Sequence, residues 1–226
     1  MSKSRLEIKE LSIVLVGKFN PIIYHPQWMA RKSILTPSEA DAATENIKII
    51  HQDVAEFVLD YCTIQVVKDR FSATSTQETH FKQMRDLVSN ICSHLPECPI
   101  LQAGINFHHH YRFTEEAAFN AFGHKVVPKE PLWKNFLEEP GLSHVAIQGK
   151  RTDGRDGYKM LHINSSGRVR PWGVQIFLND HYQLYTEKPV TEADAAKAIS
   201  VLNEQYTTSI GDSEKILDGI YQYGIS

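Results

Sequence analysis

Two separate stretches of this chain spell nearly the same β-strand. Ile105–Phe113 reads INFHHHYRF, and Ile176–Leu184 reads IFLNDHYQL. Set in phase, Ile105 lies over Ile176, Phe107 over Leu178, His110 over His181, Tyr111 over Tyr182 and Phe113 over Leu184. A third stretch, Val67–Ala73 (VKDRFSA), fits the second, with Asp69 over Asp180 and Phe71 over Tyr182. Strand side chains alternate between faces, so each copy presents one apolar and one polar side. Self-similar strands of this kind constrain the chain to a sheet-based, internally duplicated architecture.

The surrounding pattern fills in the units. Leu11–Val16 reads as a short buried strand that ends at Gly17 and an Asn20-Pro21 turn. Pro26–Ile34 reads as a short helix broken by Thr36-Pro37. Ile47–Ile50, Glu56–Leu59 and Thr63–Ala73 read as three strands. Ser75–Leu95 is the strongest helix, with a Ser75-x-x-Glu78 capping box and a stripe of Phe81, Met84, Leu87, Val88, Ile91, Cys92 and Leu95.

The second half repeats the order. Leu101–Phe113 is a strand. Glu115–Phe122 is a helix with Thr114 at its N-cap and Gly123 at its end. Leu142–Gln148 and Tyr158–Ile163 form a hairpin, and Gly173–Leu184 is the long strand. Thr191-x-x-Asp194 opens a helix that buries Ala195, Ala198, Ile199 and Leu202, and Asp212–Tyr223 closes the chain. Each half is thus strand, helix, three strands, helix.

That order predicts an α+β fold, an antiparallel sheet with helices on one face. One pseudo-two-fold domain would span residues 1–226, with repeats at 10–96 and 97–223. The order resembles the saddle fold of the TATA-binding protein, and tandem ferredoxin-like halves are the alternative. Neither likeness implies a function.

Composition bounds what such a chain can do. It has 226 residues, 42% of them hydrophobic, enough for a substantial core. The formal net charge is -3, without long blocks of one sign, which argues against a general nucleic-acid binder. The opening MSKSRLEIKE is polar, and the apolar run Ile13–Val16 is too short to span a bilayer. Cys62, Cys92 and Cys98 form no CxxC, so a reducing cytoplasm is expected rather than a disulfide scaffold.

Candidate functional residues fall into four groups. Asn106, His108, His110 and Arg112 share the polar face of one strand, and Asn179, His181 and Gln183 that of the other. If these strands lie near one another, His108, His110 and His181 could converge on a metal. The plainer reading is polar side chains on a solvated sheet face. Asp69 and Asp180 fall on the apolar face, as acid–base groups with shifted pKa or as carboxylates that cap a turn or pair with an arginine.

Lys150, Arg151, Arg155, Lys159, Arg168 and Arg170 make the one strongly basic stretch. It is a grip for phosphate or an acidic partner, or else a solvated hairpin with a charged edge. The connector Gly123–Trp133 is dense in polar and aromatic residues, suited to recognition or to anchoring a crossover through Trp133, Phe136 and Leu137. No P-loop, GxGxxG, GxSxG or HExxH occurs, so no catalytic residue and no cofactor is assigned.

Four stretches also resemble a scattered group of bacterial proteins of unassigned activity. They are IVLVGKFNP (Ile13–Pro21), VVKDRFSATST (Val66–Thr76), GHKVVPKEPLW (Gly123–Trp133) and NDHYQL (Asn179–Leu184). The resemblance implies a bacterial source and supplies no reaction. The expectation is a non-enzymatic, cytoplasmic protein-binding module, an accessory part of a bacterial complex such as a toxin–antitoxin or phage-defence system, or a self-associating chain. The alternatives are a metal hydrolase or nuclease built on His108, His110 and His181, and a phosphate or RNA binder built on the hairpin 150–170.

Overall fold

A computed structural model describes residues 4–185 and 194–226. In chain order the elements are β1 (Ser4–Gly17), α1 (Pro26–Arg31), α2 (Pro37–Glu45), β2 (Ile47–Ile50), β3 (Val54–Leu59), β4 (Cys62–Val67), β5 (Arg70–Ser75) and α3 (Phe81–Ser93). The second half holds β6 (Ile100–Phe113), α4 (Glu116–Val126), β7 (His144–Lys150), β8 (Gly157–Ser165), β9 (Gly173–Gln183), α5 (Ala196–Glu204) and α6 (Tyr206–Ile225). All nine strands form one antiparallel sheet in the order β2-β3-β4-β5-β1-β6-β9-β8-β7. The α+β class is as the alternation pattern predicts.

The sheet is built outward from β1 and β6. Both halves place their first strand at this centre and their last strand beside it: β5 on β1, β9 on β6. The first half has one extra edge strand, β2. This common wiring leaves the duplication and the saddle as expectations.

Helices cover one face. Tyr24, just before α1, packs on Phe71, and Phe81 of α3 meets Phe107 edge-on. Phe122 of α4 packs on Phe113, and Tyr221 of α6 stacks on Tyr111. Leu11, Ile13, Leu15, Ile105, Phe107, Ile176 and Leu178 fill the layer between. The expected burial of Phe71, Tyr111 and Tyr182 is observed.

Several expectations are corrected. The similar stretches in β6 and β9 are antiparallel neighbours, with Phe107 facing Leu178 and His109 facing Ile176, and not equivalent strands of two repeats. Neighbouring strands under the same helices need the same alternation, which explains the likeness without duplication. By wiring, the counterpart of β9 is β5, and Phe71 and Tyr182 do both face the helices. Thr63–Ala73 is not one strand. It is the hairpin of β4 and β5, closed by the pair Val67–Arg70, with Lys68 and Asp69 as its exposed two-residue turn.

Helix ends also moved. Pro37 does not break a helix but opens α2 as its first residue, under a capping box between Thr36 and Glu39. Ser75 caps nothing helical: its hydroxyl donates to the Tyr61 carbonyl (2.5 Å) and accepts from the Gln77 amide (3.1 Å). A 3-10 turn at Glu78–His80 precedes α3, whose apolar stripe from Phe81 to Cys92 is buried as expected. Glu115, and not Thr114, stands at the N-cap position of α4, without a side-chain capping bond, and the helix runs through Gly123 to Val126. Gly123 is there for close packing, since a Cβ would sit 3.1 Å from Leu142 Cβ. α6 starts earlier than expected, at Tyr206. Thr191 lies outside the described residues; Asp194 Oδ1 accepts the Ala196 amide (2.8 Å) ahead of α5. Among the described residues, no helix is long and apolar enough to cross a membrane.

Candidate functional site

The face of the sheet turned away from the helices carries the expected polar row. Even-numbered residues of β6 point there, with odd-numbered residues of β9 and even-numbered residues of β8 and β7 opposite them. Asn106 faces Asn179 across the strands and donates to Ser12 Oγ (3.4 Å). Gln183 accepts from Gln102 (3.2 Å) and donates to the Tyr185 carbonyl (2.6 Å). Arg112 Nε donates to Glu7 (2.8 Å) and its Nη1 to the Arg170 carbonyl.

The three histidines do not converge. His181 faces Gly104, four residues along β6 from His108. At about 3.3 Å per residue that is about 13 Å, too far for one metal. The sequence pattern fixed their face but not their spacing along it. His110 Nδ1 contacts Ser166 Oγ at 2.7 Å, and the residue is 2% exposed. His108 Nδ1 accepts from the Gln175 amide (2.9 Å). Burial pushes His108 down to about 3 and His110 down to about 4, and it also lowers His181. All three are neutral rings at neutral pH.

A row of rings that sequence reasoning missed crosses the same face. His108 stacks on Phe177 (4.1 Å), Phe177 on His162 (5.0 Å), and His162 on His144 (5.3 Å), one ring from each of β6, β9, β8 and β7. Tyr158 stacks on His181 (4.4 Å) as a second, shorter row. The available signal was alternation in β8, which puts Tyr158, Met160 and His162 on one side. His108 and His162 lie against the Phe177 ring, and His144 and His162 meet through their ring nitrogens at 3.0 Å.

The opposite face holds the one deeply buried ion pair among the described residues. Asp180 pairs with Arg151, their side chains 1% and 2% exposed. Arg151 also meets Asp153 (2.5 Å) and lies over the Tyr182 ring (3.7 Å). Ser209 of α6 and the Tyr182 hydroxyl both donate to Asp180 Oδ2, at 2.5 and 3.1 Å. Of the two readings for Asp180, pairing with an arginine is the one observed. Asp69 is a turn residue.

The basic stretch does not form a patch. Arg151 is buried. Arg155 pairs with Glu204 (3.1 Å), Lys159 with Asp212 (3.1 Å) and Arg168 with Glu10. Among the described residues only Lys150 and Arg170 of this set carry no ion pair. A hairpin whose cations are already neutralised has little left to grip phosphate.

The connector after α4 stands out instead. Lys129, 6% exposed, donates to the Gly123 (3.2 Å) and Val127 carbonyls at the end of α4. Its own carbonyl accepts from the Trp133 amide (2.9 Å), opening a short 3-10 turn at Trp133–Asn135. On this pinned turn Leu132, Trp133, Phe136 and Leu137 are 54%, 46%, 75% and 56% exposed. They do not anchor a crossover. Compared with known proteins, the chain matches no family model and no curated protein.

Proposed function

We propose that this chain is a non-enzymatic module that docks a protein partner through the apolar turn at residues 132–137. The observation that carries the reading is the outward display of Leu132, Trp133, Phe136 and Leu137 on a turn fixed by Lys129. Large side chains clustered in solvent on an ordered backbone are a docking signature, because their exposure is unfavourable until something covers them. Free Cys62 and Cys92, whose thiols burial pushes up to about 12, suit a reducing cytoplasm. With the resemblance to scattered bacterial proteins, this supports an accessory subunit of a bacterial complex. The histidine face and the basic hairpin contribute less than their composition suggests, since Asn106, His110 and His181 are buried and Arg151, Arg155, Lys159 and Arg168 already pair within the chain.

The test is a paired purification from the native source, wild type against Trp133→Ser/Phe136→Ser. One component should co-purify near stoichiometrically with wild type and be lost from the variant, with unfolding midpoints unchanged. Identical co-purifying sets, or wild type alone and monomeric, would sink the reading.

A further inference from the structure

The sheet has two free edges, β2 and β7. β2 is blunted: it has four residues, its register slips between Ile47 and Ile49, and Lys48 sits within it. β7 has none of these devices. It runs seven residues, His144–Lys150, in unbroken register with β8, with no proline and no Lys, Arg, Asp or Glu before Lys150. Just past Lys150, Arg151 enters the buried pair with Asp180 and fixes this end of the hairpin to the sheet.

An apolar row crosses the helix side of the sheet from Leu11 through Phe107 and Leu178 to Leu161, each facing the next. Its last member is Ile147, opposite Leu161 and 62% exposed. Six of the seven β7 residues are exposed, and only Val145 is half-buried. A regular edge strand that buries so little leaves both a side of its backbone ladder and the end of an apolar row uncovered.

We propose that β7 pairs with β7 of a second copy of this chain, antiparallel about a two-fold axis at Ala146, so that two nine-stranded sheets become one. A two-fold makes every contact twice, so the strand has to complement its own reverse. In this register Ile147 of each copy faces Val145 of the other, and the apolar row runs on into Ile163 of that copy. On the open side Gln148 faces the other copy's His144. That imidazole meets His162 of its own chain through Nε2 (3.0 Å) and keeps Nδ1 for the amide. Centring on Ile147 instead would set Val145 against Gly149 and Lys150 against His144, and the apolar match would be lost. It is this self-complementarity that selects a second copy over a foreign strand. The surface is separate from the docking turn at residues 132–137.

Analytical sedimentation of the tag-free protein tests it. A species of two chains is expected at micromolar concentration. Ile147→Lys sets a charge against Val145 twice per pair and should raise the dissociation constant at least tenfold. Trp133→Ser/Phe136→Ser, altered only at the docking turn, should sediment as wild type does. Cysteines test the register without touching Ile147. Ala146→Cys should cross-link to its counterpart on mild oxidation, since facing Cβ atoms lie about 4.5–5.5 Å apart. Gln148→Cys should not, since its counterpart lies four residues along, about 13 Å away. A monomeric wild type, a dimer that survives Ile147→Lys or is lost with Trp133→Ser/Phe136→Ser, or cross-linking at Gln148→Cys in place of Ala146→Cys would each overturn the pairing.

Discussion

Consecutive residues of β9 meet opposite environments. Asp180 faces the helices, and His181 faces the open side. Under the helices a full charge is retained, held by Arg151, Tyr182 and Ser209. On the open side His108, His110 and His181 are imidazoles that burial keeps neutral, beside the more exposed pairs Arg112–Glu7 and Arg168–Glu10, and His110 Nε2 is left without a partner. The difference shows two ways to keep polar groups inside one sheet. A charge has to be paired almost completely, because an unpaired ion in a dry site costs several kcal/mol. A neutral ring with one unfilled nitrogen costs less, about 1–3 kcal/mol.

The comparison breaks most readily at Asp180. Asp180→Asn should destabilise the protein by about 3 kcal/mol in urea unfolding, at the lower end for breaking a buried pair because Asp153 still faces Arg151. A loss under about 1 kcal/mol would mean that the pair is solvated and the two faces do not differ. On the open side the lever is pH. An imidazole held at about 4 when folded, against about 6.5 when unfolded, takes up its proton more readily in the unfolded chain. Its neutral burial is fully tolerated above pH 6.5, and stability falls as pH drops toward 4. His110 should contribute a loss of about 2 kcal/mol between pH 6.5 and 4.5. His110→Gln should flatten the stability–pH curve by that amount, and an unchanged slope would refute the assignment.

Matched serine deletions sharpen the contrast. Ser209→Ala removes a hydrogen bond to a carboxylate and should cost about 2 kcal/mol. The Ser166 hydroxyl also accepts from the Arg168 and Val169 amides, so its bond to the neutral imidazole is isolated by a double-mutant cycle of Ser166→Ala with His110→Phe, where a coupling of about 1 kcal/mol is expected. Equal values in thermal unfolding would erase the distinction between the faces. The smallest effect belongs to neither face: Phe136→Ser should change stability by less than about 0.5 kcal/mol while removing partner association.

Much of the fold was legible because burial leaves a period. The stripe from Phe81 to Cys92 marked a helix, and alternation through Ile105–Phe113 marked a strand and its inward side. Pro37 misled because one residue type both breaks helices and starts them, and the Thr36–Glu39 box is what decides. The site was less legible. Alternation assigns a residue to a face but says nothing of its neighbour across the ladder, so it could not reveal that His108 meets Phe177 or that His181 sits apart. Arg151 looked like a surface cation among others, and its bond to Asp180, 29 positions later, depends on a strand order that local sequence does not encode.

The central pair of strands bears on how the chain reaches this fold. Ser12 and Asn106, bonded across β1 and β6, are 94 positions apart. During synthesis β1 can join β5 and α3 well before β6 has left the ribosome. Until then one whole side of a fourteen-residue strand has no ladder partner. Contacts of such long range form late and slowly. The nascent first half is therefore the species most exposed to wrong pairing, and arrival of β6, rather than of the chain's last helix, ends that exposure.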